Sequence, residues 1–391
     1  MRSSFLYIFL FLFNSYFTPL KANSYLPLGS KAKISIITTS PGEDLYTVFG
    51  HAAIRVKDSS QNLDLVFGYG EFDFSTPNFY PEFVRGTLLY TISLDPFEGF
   101  KSEFLNGPYQ MKEQDLDLDS LSKNKILNLL LENYKPQNRL YHYDFFFDNC
   151  SSRVRDIINK GVSPGDFFSK TVPPNAPSFR DLLKTYLINR PWIRLGTDLI
   201  LGMPADKKLS PYEQTFLPFF LSQYLDLSKY PSNKPLVSGS RFLLKNPQAN
   251  NAPEILSPIG FIWLIFLLSL LSLNHTSLQR AFSFLVYFLY TLLGILILYL
   301  WLGTERTSYG LNFNILWASP LLAVILWTKG SLKTYFSLGY LASLALLLLV
   351  LAFKIQVFNP AVLPLAFIPL PHCYLRIRHL FPLLDQNKGV N

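Results

Sequence analysis

The sequence predicts an α+β domain exported across a membrane, followed by an all-α bundle of about five transmembrane helices. Three observations carry this. Short alternating runs interleaved with amphipathic helical stretches fill roughly the first 160 residues. Hydrophobic stretches recur at 257–273, 281–303, 313–328, 335–353 and 357–371, of which the second and fourth are long enough to span. Third, residues 1–22 combine an early Arg2, an apolar run from Phe5 to Phe13 and the ending Leu20-Lys21-Ala22, the pattern of a signal peptide. The composition agrees, being 49% hydrophobic and 16% charged, far from a soluble enzyme.

Charge follows the same division. From Ser257 onward Arg280, Arg306, Lys329, Lys333, Lys354, Arg376, Arg378 and Lys388 stand against Glu305 and Asp385, which is +6 of the chain's +8. The basic excess belongs to the membrane part and gives no reason to expect nucleic acid. Counting five spans from an exported domain places Arg280, Lys329, Lys333, Arg376, Arg378 and Lys388 in the cytoplasm, as the positive-inside rule requires.

Within the exported part, 31–40 alternates as a strand and Ser40-Pro41-Gly42-Glu43 reads as a turn. Val48–Val56 reads as a second strand, with His51, Ala53 and Arg55 on one face and Ala52, Ile54 and Val56 on the other. Asp58–Asn62 is a hairpin-like turn into a third strand, Leu63–Tyr69, and Leu88–Leu94 reads as another. Leu121–Tyr134 is an amphipathic helix ending before Pro136. Tyr141–Ile158 (YHYDFFFDNCSSRVRDII) then runs as an aromatic strand-like stretch to Asp148-Asn149, either of which suits an N-cap, and continues as a helix with Val154, Ile157 and Ile158 on one face. Gly161 fits its stop.

Residues 164–255 read as an accessory subdomain and linker, with helices at Phe179–Leu187 and Ser210–Leu227. Trp192, Ile193, Leu199, Ile200 and the Phe216/Phe219/Phe220 face suit either an ordinary core or a bilayer surface or acyl-chain path. The loop Thr304–Asn314 (TERTSYGLNFN) returns to the exported side. Its Arg306, Asn312 and Asn314 are candidates for holding a head group or closing the site, beside the plainer reading of a polar hairpin.

The five histidines lack metal-ligand spacing, and neither a phosphate-binding glycine loop nor a Gly-x-Ser-x-Gly elbow occurs. No metal and no cofactor is expected. What remains is Cys150, the single cysteine of the exported segment, opening a helix, and His51 on a strand. The helix N-terminus offers free N–H groups and a positive dipole end, both favouring the thiolate nucleophile; the alternative is a buried structural cysteine. A thiol nucleophile needs a base and a group that orients it. His51 is the expected base, with His142 competing, and Tyr69, Glu71 and Asp73 are the polar candidates beside it.

The order strand-His, strand, helix-Cys resembles the circularly permuted NlpC-type papain-like thiol enzymes, among them lecithin–retinol acyltransferase. The residues FGHAAIRV (49–56), VFGYGEFDF (66–74), YHYDFFFDNCSSRVRD (141–156), PWIRLGTDLILG (191–202) and NFNILWASP (312–320) resemble the bacterial Lnb family of lipoprotein N-acyltransferases over nearly the whole mature chain. That family's outer loop often carries a histidine ahead of the paired asparagines; Thr304–Leu311 has none, so no catalytic role is carried onto it. The resemblance implies a papain-like catalytic domain over 23–163 and a transmembrane domain over 256–391 with a cytoplasmic tail. It implies a bacterial inner-membrane protein with its catalytic domain in the periplasm, a phospholipid acyl donor and a diacylated lipoprotein acceptor. Cys150 would carry the acyl group as a thioester and His51 would move the protons, with Asn149 and Ser151 positioning the thiol or shaping the oxyanion hole. A membrane-tethered thiol peptidase or amidase of cell-wall peptides, and a non-catalytic envelope scaffold, are the alternative readings.

Overall fold

A computed structural model describes residues 26–246 apart from Leu45, residues 257–377, and Leu380. The signal-peptide reading, most of the linker and the tail beyond Ile377 lie outside the described residues.

The seven strands of the described residues form a single antiparallel sheet: β1 (Lys33–Thr39), β2 (His51–Asp58), β3 (Leu63–Glu71), β4 (Leu89–Pro96), β5 (Gln110–Leu116), β6 (Leu140–His142) and β7 (Val237–Lys245). Their spatial order is β6-β4-β3-β2-β1-β5-β7. Helices α1 (Phe79–Arg85) and α2 (Phe97–Ser102) flank β4; α3 (Ser120–Tyr134) and α4 (Cys150–Gly161) follow β5 and β6. Next come α5 (Phe179–Tyr186), α6 (Pro191–Ile200), α7 (Pro211–Gln214) and α8 (Pro218–Leu227). The strand periodicity read from the sequence holds. Ala52, Ile54 and Val56 of β2 bury against Ile126 and Leu130 of α3 and Val154, Ile157 and Ile158 of α4. Ala53 faces the other way, with Ile37, Val66 and Met111 against Phe97 and Phe100 of α2.

Two local expectations change. Tyr143–Phe147 is not strand: β6 ends at His142, and the Asp144 carboxylate accepts from the N–H groups of Phe146 and Phe147, at 2.9 and 3.1 Å, folding a turn where a ladder would need extended backbone. Gly161 does end α4, but for want of room rather than for a left-handed cap: a Cβ there would collide with Ile126 of α3.

Residues beyond 163 return to the same sheet. β7 pairs with β5 along the edge, and Leu221 and Leu225 of α8 join the core beneath α4. Phe216 is buried with Phe145, Phe146 and Phe179 instead of facing lipid, whereas Phe219 is exposed. Toward the other end, Leu195 and Leu199 pack with the apolar helices, and Trp192 sits edge-on to Phe261.

The apolar helices are α9 (Pro258–Ser272), α10 (Thr276–Leu302), α11 (Leu321–Trp327), α12 (Gly330–Ala352), α13 (Val362–Phe367) and α14 (Leu370–Ile377). Among the described residues only α10 and α12, of 27 and 23 residues, are individually long and apolar enough to cross a membrane; at 1.5 Å per residue the longer reaches about 40 Å. Thr307–Leu316 and α11, bent by 41°, make a third span if taken together. By length and composition alone the described helices thus give two or three spans where about five were expected. α9 is too short alone, and Pro369, which lacks an N–H, separates α13 from α14.

A buried polar hub joins the two parts. The Arg180 guanidinium holds Asp198 at 3.1 Å and Asp206 at 2.7 Å and donates to the carbonyls of Leu201 and Gly202. Asp198 also accepts from Asn359 at 2.8 Å, and Asp206 from the Val357 N–H at 2.9 Å. The sheet-bearing part and the loops of the apolar-helix part thus share the same two carboxylates.

Candidate active site

Cys150 is the first residue of α4, and its surroundings are fixed from the cap outward. Asn149 Oδ1 accepts from Ser152 N at 2.8 Å while Ser152 Oγ accepts from Asn149 N at 2.8 Å, a reciprocal cap. Both hydrogens of the Asn149 amide are spent, on the carbonyls of Phe145 (2.8 Å) and Phe216 (2.7 Å). The Asn149 amide therefore has no hydrogen left to donate to an oxyanion. Ser151 is fully buried, and its hydroxyl has no hydrogen-bond partner among the described residues.

The thiol is 8% exposed and unpaired. Burial pushes its pKa up; the backbone N–H groups of Ala52, Ser151 and Cys150 itself pull it down but do not prevail, and the charge of Glu71 raises it further. The expectation of a resting thiolate is thereby corrected: in this closed site desolvation outweighs the helix end.

His51 opens β2, and its N–H is held by Thr39 Oγ1 at 3.0 Å. The imidazole lies on the α2 face of the sheet, 6.4 Å from the Phe100 ring, and burial lowers its pKa to about 4. A Cβ on Gly68 would sit 3.6 Å from His51 Nε2 and 3.9 Å from Glu71 Oε1, so these two side chains converge on one notch. Cys150 comes from the α4 face of the sheet. The two groups meet at the same sheet end, but no hydrogen bond joins sulfur and imidazole, and the ring makes none to any described residue.

The structure separates the remaining candidates. Tyr69 is buried on the α4 face, where its hydroxyl accepts from Asn133 Nδ2 at 2.8 Å and not from His51; burial pushes its pKa up to about 12. As an orienting group for His51 it is misplaced, because period two sends it to the other side of β3. Glu71 stands at the rim, and burial together with the neighbouring carboxylates of Glu103 and Asp95 raises its pKa. Asp73 closes its own turn on Ser75, and His142 is exposed on β6.

Asn312 and Asn314 are structural. Asn312 Nδ2 donates to the Leu199 carbonyl at 2.8 Å, and Asn314 Nδ2 reaches the same carbonyl at 3.2 Å while its Oδ1 accepts from Trp317 Nε1 at 3.0 Å. Arg306, by contrast, reaches the sheet-bearing domain, packing its stem on Gly86. Sequence reasoning missed Tyr143 and Gly70. Gly70 breaks the β3–β4 register between Tyr69 and Glu71, and a Cβ on it would lie 3.3 Å from Tyr143 Cε2 and 4.0 Å from Cys150 Cβ. The signal present was the Gly68-Tyr69-Gly70 spacing at a strand end. No group of three or more His, Cys, Asp or Glu residues suited to a metal occurs among the described residues.

Two family models match the chain. The Lnb N-terminal periplasmic domain matches residues 29–184, and the Lnb transmembrane domain matches residues 250–381. No curated protein matches the chain, and no solved structure does.

Proposed function

The chain belongs to the Lnb family, as a lipoprotein-processing membrane enzyme with a periplasmic domain and a transmembrane domain, and from that premise we propose that it is a cysteine-dependent lipoprotein N-acyltransferase. The observation that carries the reading is the buried thiol of Cys150 at the first position of a capped helix, beside Gly70 at the end of β3 and near the start of β2, which His51 opens. We read the domain as papain-like in permuted order and the membrane as the bacterial inner membrane.

In the resting site both partners are neutral: the thiol is held protonated by burial, and the imidazole is unprotonated down to about pH 4. Neutral imidazole is the form that accepts a proton. Because the ring makes no hydrogen bond to a described residue, its reorientation toward the thiol would break no polar contact. His51 takes the thiol proton as sulfur attacks an ester carbonyl of a phospholipid. The tetrahedral oxyanion is held by the N–H groups of Ala52, Ser151 and Cys150. Collapse breaks the ester C–O bond, and the imidazolium protonates the leaving lysophospholipid oxygen. The α-amine of a diacylglyceryl-cysteine then attacks the thioester, gives its proton to His51, and expels the thiolate, which is reprotonated. Atoms and charge balance with no redox partner. A water-poor thiol suits this sequence, since hydrolysis of the thioester is the competing loss.

The test is an intact mass measurement of one model lipoprotein produced with and without this protein. A gain of one acyl mass on its N-terminal cysteine amine is expected only with the protein. An identical mass in both, at normal abundance, refutes the reading.

A further inference from the structure

Resting on the transferase reading, we propose that Arg306 is the donor's head-group site, its guanidinium holding the phosphodiester of the phospholipid while an ester carbonyl reaches Cys150.

Arg306 follows the end of α10, a helix able to cross the membrane, by four residues. From there its stem crosses to the periplasmic domain and lies on Gly86, which caps α1. Gly86 has φ +83°, and a Cβ on it would lie 3.0 Å from Arg306 Nε and 3.2 Å from Cγ, so both backbone and space call for glycine beneath this side chain. The guanidinium makes no hydrogen bond or ion pair with a described residue, and its Nε is shut off from solvent without a partner. A buried arginine donor without an acceptor is costly to maintain, and planar guanidinium matches phosphate in a bidentate way.

The surroundings connect this site to the thiol. The charge of Arg306 acts on Tyr90 and Tyr143, partly offsetting the rise that burial gives their pKa values. Tyr90 and Tyr143 stack at 4.5 Å, and the Gly70 position that touches Tyr143 also touches Cys150. Tyr143 thus borders the thiol through the Gly70 position while feeling the charge of Arg306. In a glycerophospholipid, phosphate and ester carbonyls hang from a single glycerol unit, a matching arrangement. Phe79 and Phe83 of α1 stack beside Gly86, and the exposed Tyr80 and Phe83 offer apolar surface for the chains. The diacylglyceryl acceptor has no phosphate, so Arg306 tells donor from acceptor.

Full-length protein carrying Cys150→Ser, in micelles, is titrated with dihexanoyl phosphatidylglycerol and with dihexanoylglycerol, and bound lipid is read by native mass spectrometry. The phosphate-bearing lipid is expected to bind about tenfold more tightly. Arg306→Gln removes that preference, Arg306→Lys keeps part of it, and Lys329→Gln leaves it whole. The methyl phosphotriester of the same lipid, uncharged but similar in size, needs no further substitution and is expected to bind like dihexanoylglycerol. Preference retained in Arg306→Gln, or a phosphotriester that binds like the charged lipid, overturns the proposal. Because binding is read without turnover, an unacylated Cys150 in unsubstituted protein would count against the transfer chemistry and leave this measurement standing.

Discussion

Gly70 and Cys150 approach so closely that a Cβ on the glycine would lie 4.0 Å from the cysteine Cβ, with Tyr143 closer still at 3.3 Å. The left-handed φ of +100° at Gly70 breaks the β3–β4 register just where α4 begins. Gly70→Ala is therefore expected to destabilise the protein by about 1–2 kcal/mol through backbone strain and to displace Tyr143 from the thiol. The check is the apparent melting temperature together with the rate of Cys150 alkylation. A lower melting temperature with faster alkylation is expected; no change in either contradicts the geometry.

Asn149 and Ser151 flank the same thiol and should respond in opposite ways. Asn149→Ala removes a reciprocal cap and leaves the Phe145 and Phe216 carbonyls without their donors, a loss of about 2–4 kcal/mol. Ser151→Ala removes a buried hydroxyl with no partner among the described residues and is expected to be neutral or to stabilise by up to about 1 kcal/mol. Denaturation of the two variants side by side gives the comparison. Equal losses would mean that Ser151 has a partner in solution.

The pKa of His51, lowered to about 4 from an ordinary 6.5, sets two pH dependences. Between those values the unfolded chain binds a proton that the folded chain refuses. His51 therefore makes stability fall as pH drops from about 6.5 to about 4, and above 6.5 its effect vanishes. Subtracting the profile of His51→Gln from that of the unsubstituted protein isolates this contribution. The neutral pair also implies that Cys150 alkylation climbs steadily with pH through neutrality; a plateau beginning in the acid range would show a resting thiolate–imidazolium pair instead.

Much of this site was legible from short-range pattern. Period two placed Ala52 and Ala53 on opposite faces of β2, and Asn149 was readable as a cap ahead of an amphipathic helix, because both depend on residues within a turn or a strand. The role of Tyr69 was not read correctly. Strand pairing suggested a neighbour for His51, but the β2–β3 register sets Gly68 opposite Ala53 and so turns Tyr69 to the α4 face, where it meets Asn133 of α3. The protonation state of Cys150 was misjudged for a related reason: helix-end electrostatics are local, but burial is contributed by the whole fold. Asn312 and Asn314 looked like substrate groups because polar residues in a short loop are usually free, and their acceptor carbonyls come from α6, more than a hundred residues earlier. The helix count stayed open where apolar stretches are short or carry a proline.

The most direct test is the mass of Cys150 itself. Purified full-length protein is incubated with phospholipid alone, without an acceptor lipoprotein, and the Cys150 peptide is weighed. The account predicts one fatty-acyl mass on Cys150, released by hydroxylamine, absent in Cys150→Ser and strongly reduced in His51→Ala. Lipoprotein acylation that continues in Cys150→Ser at normal protein abundance, with no acyl mass on Cys150 in the unsubstituted enzyme, would contradict it.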